Sequence, residues 1–305
     1  MSPQSGTQLG ADVVRSDHAL QRRRREQRKA VARHTAIILL IVVMLIPVWF
    51  VVISALSGQD AIASTLLPQS FNLDNFRRLF TSVDVNFADW VINTLKVGVT
   101  SSLLNVVIGA FGAYAFSRMR FRGRRTTLLS LLMIQVFPSF LALSAVFVIM
   151  TNVTKYAPSI GIGTPWALVL VYSGGALGIN AWLIKGFFDT IPKELDESAM
   201  IDGATHSQIF FRVVLPLALP ALAVVFMLSF IGSLNDFILA SVLLGSNPHQ
   251  QTLAVGLYGF ISSGFDSKWG AFTAGSLLAS VPVVIIFIAL QKYIVSGLTA
   301  GSVKG

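Results

Sequence analysis

Apolar residues in this chain come in long unbroken runs, and the stripes of a soluble fold are absent. A helix rises about 1.5 Å per residue, so about 20 apolar residues cross the hydrocarbon core of a bilayer. Six stretches reach that length: 36–56, 91–116, 127–150, 165–185, 213–244 and 269–295. The second is the least clean, because Asn93, Lys96 and Asn105 interrupt it, although 97–116 suffices alone. The pattern predicts an all-α integral membrane protein with six transmembrane helices. Residues 1–34 form a polar tail, 35–295 the membrane domain and 296–305 a short C-terminal tail. The basic tract "QRRRREQRKAVAR" reads as disordered chain touching anionic lipid, at about 1 kcal/mol per basic residue, or as a partner-binding arm.

Composition agrees. Of 305 residues, 54% are hydrophobic and 12% charged, against about 25% charged in soluble domains. Cysteine is absent, which excludes disulfides and thiolate metal sites, and the four histidines are scattered. The net charge of +9 raises the question of nucleic acid. The charges are sorted by loop instead. Arg15, Arg22–Arg25, Arg28, Lys29 and Arg33 precede the first span. Arg118, Arg120, Arg122, Arg124 and Arg125 follow the second, Lys185, Lys193 and Arg212 lie between the fourth and fifth, and Lys292 and Lys304 end the chain. The alternate segments carry only Arg77, Arg78, Lys96, Lys155 and Lys268. Positive residues favour the cytoplasm, so both termini are expected there, with no nucleic-acid partner. The first run is too long for a signal-peptide core and reads as a retained span.

The outer segments are short. "LPQSFNLDNFRRLF", within 57–90, reads as a small amphipathic element. No Walker A, G-x-S-x-G or H-E-x-x-H pattern occurs, so no catalytic set, cofactor or metal is expected. Asp236, in "GSLNDFILA" near the outer end of span five, is the clear intramembrane charge. It reads as a packing or gating group paired with a neighbour such as Asn235, or as a contact for solute. Pro47, Pro138 and Pro282 lie within spans, and "GGALG" (Gly174, Gly175, Gly178) reads as a close-packing face.

The segment 186–215 departs from the rest. Five acids fall between Asp189 and Asp202. Thr190 reads as a helix cap, with Pro192 in the first turn and Glu194, Asp196 and Glu197 at the positive helix end. Ala199 and Gly203 share one helical face, against which a second body can pack while the acids meet its basic groups. Gly203 lets the chain turn into a second helix over 207–214, then Pro216 and span five.

This segment resembles the cytoplasmic signature of ABC importer permeases: E-A-A, three residues, Gly, nine residues, I-x-L-P. Glu197-Ser198-Ala199, Gly203, Val213 and Leu215-Pro216 match it, with Ser198 for Ala and Val213 for Ile. "NTLKVG" at Asn93, "NDFILA" at Asn235, "QTLAVGL" at Gln251 and the terminal "GLTAGSVKG" are similar to the carbohydrate-importer permeases, most of all to the smaller maltose/maltodextrin permease subunits. The resemblance implies a type I importer permease in the bacterial inner membrane, without catalysis of its own. It implies a second permease subunit, two ATPase subunits that bind the ATP, an extracytoplasmic solute-binding protein and a sugar substrate. Glu197, Ser198, Ala199, Asp202, Gly203, Val213, Leu215 and Pro216 would form the element docking on an ATPase. Gly301, Ser302, Val303, Lys304 and Gly305 would touch the ATPase dimer, and the outer loop near 246–268 the binding protein. A self-sufficient carrier or channel, and a membrane scaffold, are the competing readings.

Overall fold

The computed structural model describes residues 5–57, 62, 65–67, 71–136, 138–262 and 268–300. Among them the chain is helical and holds no strand. In order the helices are α1 (Ser5–Leu56), α2 (Asp74–Thr81), α3 (Phe87–Arg118), α4 (Arg124–Val136), α5 (Leu143–Tyr156), α6 (Pro165–Ser173) and α7 (Ala181–Phe188). They continue with α8 (Glu194–Ile201), α9 (His206–Ile209), α10 (Leu215–Leu217), α11 (Leu219–Asn235), α12 (Ile238–Leu244), α13 (Leu253–Tyr258) and α14 (Trp269–Ala300).

Three helical stretches are long and apolar enough to cross a membrane unaided: Arg25–Leu56, Phe87–Arg118 and Trp269–Tyr293. Three further crossings result if each bent pair is one span. These pairs are Arg124–Val136 with Phe140–Tyr156 (85°), Pro165–Ser173 with Ala176–Phe188 (41°), and His206–Leu217 with Leu219–Asn235 (74°). Several expected boundaries change accordingly. The fifth span does not run to residue 244, because α11 stops at Asn235 and α12 is separate. Residues 5–34, expected to be disordered, continue α1. Arg, Lys, Glu, Gln and Ala are strong helix formers, and the span behind them supplies the costly nucleus. The last helix likewise takes in residues 296–300. α1 and α14 run through Pro47 and Pro282 unbroken.

The span that looked least clean is the central one. α3 packs on α11, α7, α6 and the turn between α6 and α7. It supplies Phe87 and Trp90 to one buried cluster with Leu79, Leu253 and Leu257. Val97 joins a second with Met150, Leu168 and Leu243. Ala110, Ala113 and Tyr114 join a third with Ile184, Phe188, Phe210 and Leu222. Close approach requires small residues on α3 itself: a Cβ on Gly98 would lie 2.8 Å from the fully buried Phe230 ring, and one on Gly112 2.7 Å from Leu177. Of the polar interruptions, Asn93 and Asn105 face inward and Lys96 is exposed. The Asn93 amide donates to the His249 carbonyl (2.9 Å) and the Gln251 carbonyl (3.1 Å), and Thr94 Oγ1 accepts from the Leu253 N–H (2.8 Å). Trp90 Nε1 donates to the Pro248 carbonyl (2.9 Å). The amphipathic element expected before α3 is α2, whose buried Asn75 amide donates to the Ala55 carbonyl (3.2 Å).

Gly98→Val is expected to lower the apparent melting temperature of the purified protein in detergent, since overpacking costs about 1–3 kcal/mol. Gly186→Ala, within α7 and with an added Cβ that meets nothing within 4 Å, is expected to leave it unchanged or raise it, since alanine is favoured over glycine in a helix by up to about 1 kcal/mol. Intrinsic-fluorescence melting of the two variants checks the contrast.

Candidate functional site

The ends of α8 explain its length. Glu194, Asp196 and Glu197 occupy its first turn, where unpaired N–H groups favour negative charge. At its other end Gly203 takes a left-handed φ of +84°. The Ala204 N–H then reaches the Ala199 carbonyl (2.9 Å) and the Gly203 N–H the Met200 carbonyl (3.0 Å), a Schellman turn. Thr205 caps α9 reciprocally: its N–H donates to Gln208 Oε1 (2.8 Å) and its hydroxyl accepts from the Gln208 N–H (3.4 Å).

The turn at Gly203 matches expectation, but two local expectations are corrected. Thr190 does not cap α8; its hydroxyl donates to the Phe187 carbonyl (2.7 Å) and closes α7. Pro192 precedes α8, with Lys193 at the N-cap. The helix expected over 207–214 consists of α9 and a π-helical turn, Phe210–Val214. Pro216 has no N–H and its ring crowds the carbonyl four residues back, so the helix widens ahead of it; Pro220 stands in the first turn of α11, beside the 74° bend.

The last turn of α3 holds the hairpin in place. Arg118 Nε lies 2.6 Å from Asp196 Oδ2, with side chains 7% and 8% exposed. The contact is an ion pair whose angle falls outside hydrogen-bond geometry, and Arg118 Nη1 and Asp196 Oδ1 find no hydrogen-bond partner among the described residues. Arg118 Nη2 donates to the Ile191 carbonyl (2.9 Å), Ser117 Oγ to Asp189 Oδ1 (2.6 Å) and the Tyr114 hydroxyl to the His206 carbonyl (3.3 Å). Burial alone would raise the Asp189 pKa. Hydrogen bonds from Lys185 and Ser117, with the Lys185 and Arg118 charges, outweigh it and hold that carboxyl below its ordinary value.

These contacts divide the expected site. Asp196 was expected to serve a partner; it is committed inward to Arg118. Ala199 also turns inward, with Val213 and Leu215, to pack on the cluster around Ile191, Ile209 and Phe210. Ala199 is therefore partly covered by this cluster, while Gly203 stays exposed. The outward surface carries Glu197, Ser198, Asp202 and Gly203 beside Leu195, Met200 and Ile201, the last 87% exposed; Pro216 is exposed farther along. Residues 301–305, expected to touch an ATPase, lie outside the described residues.

Asn235 and Asp236 stand where α11 breaks before α12. They do not pair: the Asn235 amide donates to the Ile231 carbonyl (2.9 Å), while Asp236 Oδ1 accepts from the Leu239 N–H (3.0 Å). Both line a cavity of about 480 Å³ with Phe140 and Leu143, which flank the bend after α4. The third break is "GGALG". It forms a π-helical turn, with Gly178 at φ −85°, ψ −118°, and a Cβ there would fall on the Gln135 side chain. The expected close packing is thus present at Gly178, and it falls where the span is broken. Gln135, Gly175 and Asn180 line a cavity of about 880 Å³ beside it.

Arg118, Ser117 and Tyr114 escaped the sequence reading. Arg118 counted there only as one positive charge in a loop, and its partner is remote in the chain. The facing of Asn93 onto 249–251 was equally hidden, although both segments stood out separately as motifs.

A family model described as binding-protein-dependent transport system inner membrane component matches residues 105–300. The galactooligosaccharides transport system permease protein of Bacillus subtilis is 40% identical over 260 residues, covering 85% of this chain and 89% of that protein. The maltodextrin transport system permease protein of the same organism is 43% identical over 237 residues, covering 77% and 82%. A solved bacterial ABC transporter involved in the import of the acidic polysaccharide alginate shares the fold, with TM-score 0.71, 23% identity, and 87% and 95% covered.

Gly203→Val forces a β-branched residue into the left-handed region at about 1–2 kcal/mol, although its Cβ has open space. Amide exchange over residues 199–208 is expected to quicken in Gly203→Val and to change less in Gly203→Asn. Equal exchange in both variants and the parent contradicts this account of the turn.

Proposed function

Because the chain belongs to the family of binding-protein-dependent transport system inner membrane components, we propose that it is a permease subunit of an ATP-driven sugar importer carrying a maltodextrin-like oligosaccharide. The observation that supports this reading is the α8 hairpin, which offers an apolar tip to a second body while its base is held by α3. The basic end of the bundle, with Arg118, Arg120, Arg122, Arg124 and Arg125, faces the cytoplasm in this reading, and two ATPase subunits bind and hydrolyse ATP there. The hairpin of one permease chain docks on one ATPase through Glu197, Ser198, Asp202, Gly203 and Ile201. Ala199, Val213, Leu215 and Pro216 shape it from behind. Gly301–Gly305 reach the ATPase dimer.

A second permease subunit completes the pathway and a solute-binding protein delivers sugar at the opposite end, near 246–268. The paired breaks at Asn235–Asp236 and beside Phe140 then act as the gate. Partner closure can drive opening only if the ATPase dimer binds the two permease states with different affinity, and the hairpin is where that difference is felt.

Reconstituted with its partners, the chain is expected to give ATP-dependent oligosaccharide uptake. Ile201→Glu, placing a charge at the apolar tip, is expected to lower uptake about tenfold or more while the protein still enters the membrane. Solute flux through the chain without an ATPase overturns the proposal.

A further inference from the structure

We propose that Arg118 and Asp196 are positioning residues for coupling: their buried ion pair makes α3 and the α8 hairpin move as one body, so that displacement of the hairpin becomes displacement of α3. The inference rests on the importer reading given above.

Residues 114, 117 and 118 are spaced i, i+3 and i+4, so they share one face of the last turns of α3. From that face they reach three parts of the hairpin. Ser117 and Arg118 hold the approach to it at Asp189 and Ile191. Arg118 holds α8 through Asp196, and Tyr114 holds the start of α9 at the His206 carbonyl. Apolar contacts alone would let a short helix slide or roll under load. An ion pair with one cation arm also tied to backbone sets position and orientation together. Stability is a poor reason for the pair, because apolar side chains of similar volume commonly stabilise such a site as well or better. Its geometry explains it better. Asp196 belongs to the acid-rich first turn of α8, yet it alone of the three acids there turns inward, while Glu194 and Glu197 stay exposed. The other end of α3 is bonded to the 248–253 loop, so a displacement entering at Asp196 reaches the far side of the bundle through one continuous helix.

The pair lines a cavity of about 440 Å³ with Tyr114, Arg120 and His206, so water can reach a charge left behind when its partner is neutralised. Neutral variants are therefore suitable probes. Complete transporters carrying the parent chain, Asp196→Asn, Arg118→Gln or both changes are placed in proteoliposomes. Maltodextrin uptake and ATP hydrolysis are measured in the same vesicles, and the ratio of sugar moved to ATP consumed is the readout. Each single change is expected to lower that ratio about fivefold while hydrolysis continues. The double change is expected to lower it no further than the worse single one, because both remove the same contact. An unchanged ratio in the singles, or a double loss equal to the product of the single losses, overturns the proposal. If a neutral variant fails to assemble, Arg118→Lys carries the test: it keeps the charge but gives up the second arm to Ile191. A ratio about twofold low supports the joint, and a parental ratio overturns it. A parent transporter without ATP-driven uptake refutes the importer reading itself, which these variants leave distinguishable.

Discussion

A polar group inside a membrane must find its partner within the protein, and unsatisfied ones cost several kcal/mol each. That constraint organises this fold around α3. Asn93 and Thr94 near one end, and Ser117 and Arg118 at the other, would be blemishes on a lipid-facing helix. On a central helix they become fasteners, each bonded to a segment remote in the chain. Between these ends Gly98, Gly109 and Gly112 let α11 and the broken α6–α7 span approach closely. With 32 residues α3 extends about 48 Å, enough to join the two faces of a bilayer with one rigid element.

Helix breaks are the second consequence of the same constraint. Non-helical backbone at membrane depth is tolerated only where protein or a water-filled cavity covers it. Two of the other breaks, at Gly178 and at Asn235–Asp236, lie beside the bend after α4. Gln135 on one side of that bend lies against Gly178, and Phe140 and Leu143 on the other face Asn235 and Asp236. Bent helices meeting at cavities can change shape without exposing the whole bundle to lipid, which is what a translocation path requires. The straight helices α1 and α14 pack together at the margin, and α1 leaves most of its apolar side chains outward.

Run length alone was enough to read the membrane class and nearly all of the apolar stretches, because hydrocarbon thickness sets a length that local sequence must meet. Spacing was enough to find the hairpin: Gly203 occupies a left-handed turn, as its place in the motif implied. The facing of the residues was illegible. Periodicity says that Ala199 and Gly203 share a side of a helix but not which side turns inward, so Asp196 was read as outward when it is buried, and Ala199 when it is partly covered by the core. Asn93 was read as a flaw in a span for the same reason. Long-range pairs such as Arg118 with Asp196 leave no local mark, since each residue has an ordinary local role, one as a loop cation and the other as a helix-terminal acid.

Taken together, the chain consists of a long central helix with the α8 hairpin fastened to one end and the 248–253 loop to the other. That unity can be measured directly. The chain contains no cysteine, so Lys96→Cys on α3 and Glu194→Cys on α8, both at exposed positions, can carry a spin-label pair in the assembled transporter. The account predicts one narrow distance distribution that stays the same when ATP is bound. A shifted or broadened distribution on ATP binding would contradict it, because the hairpin would then be moving on α3 instead of with it.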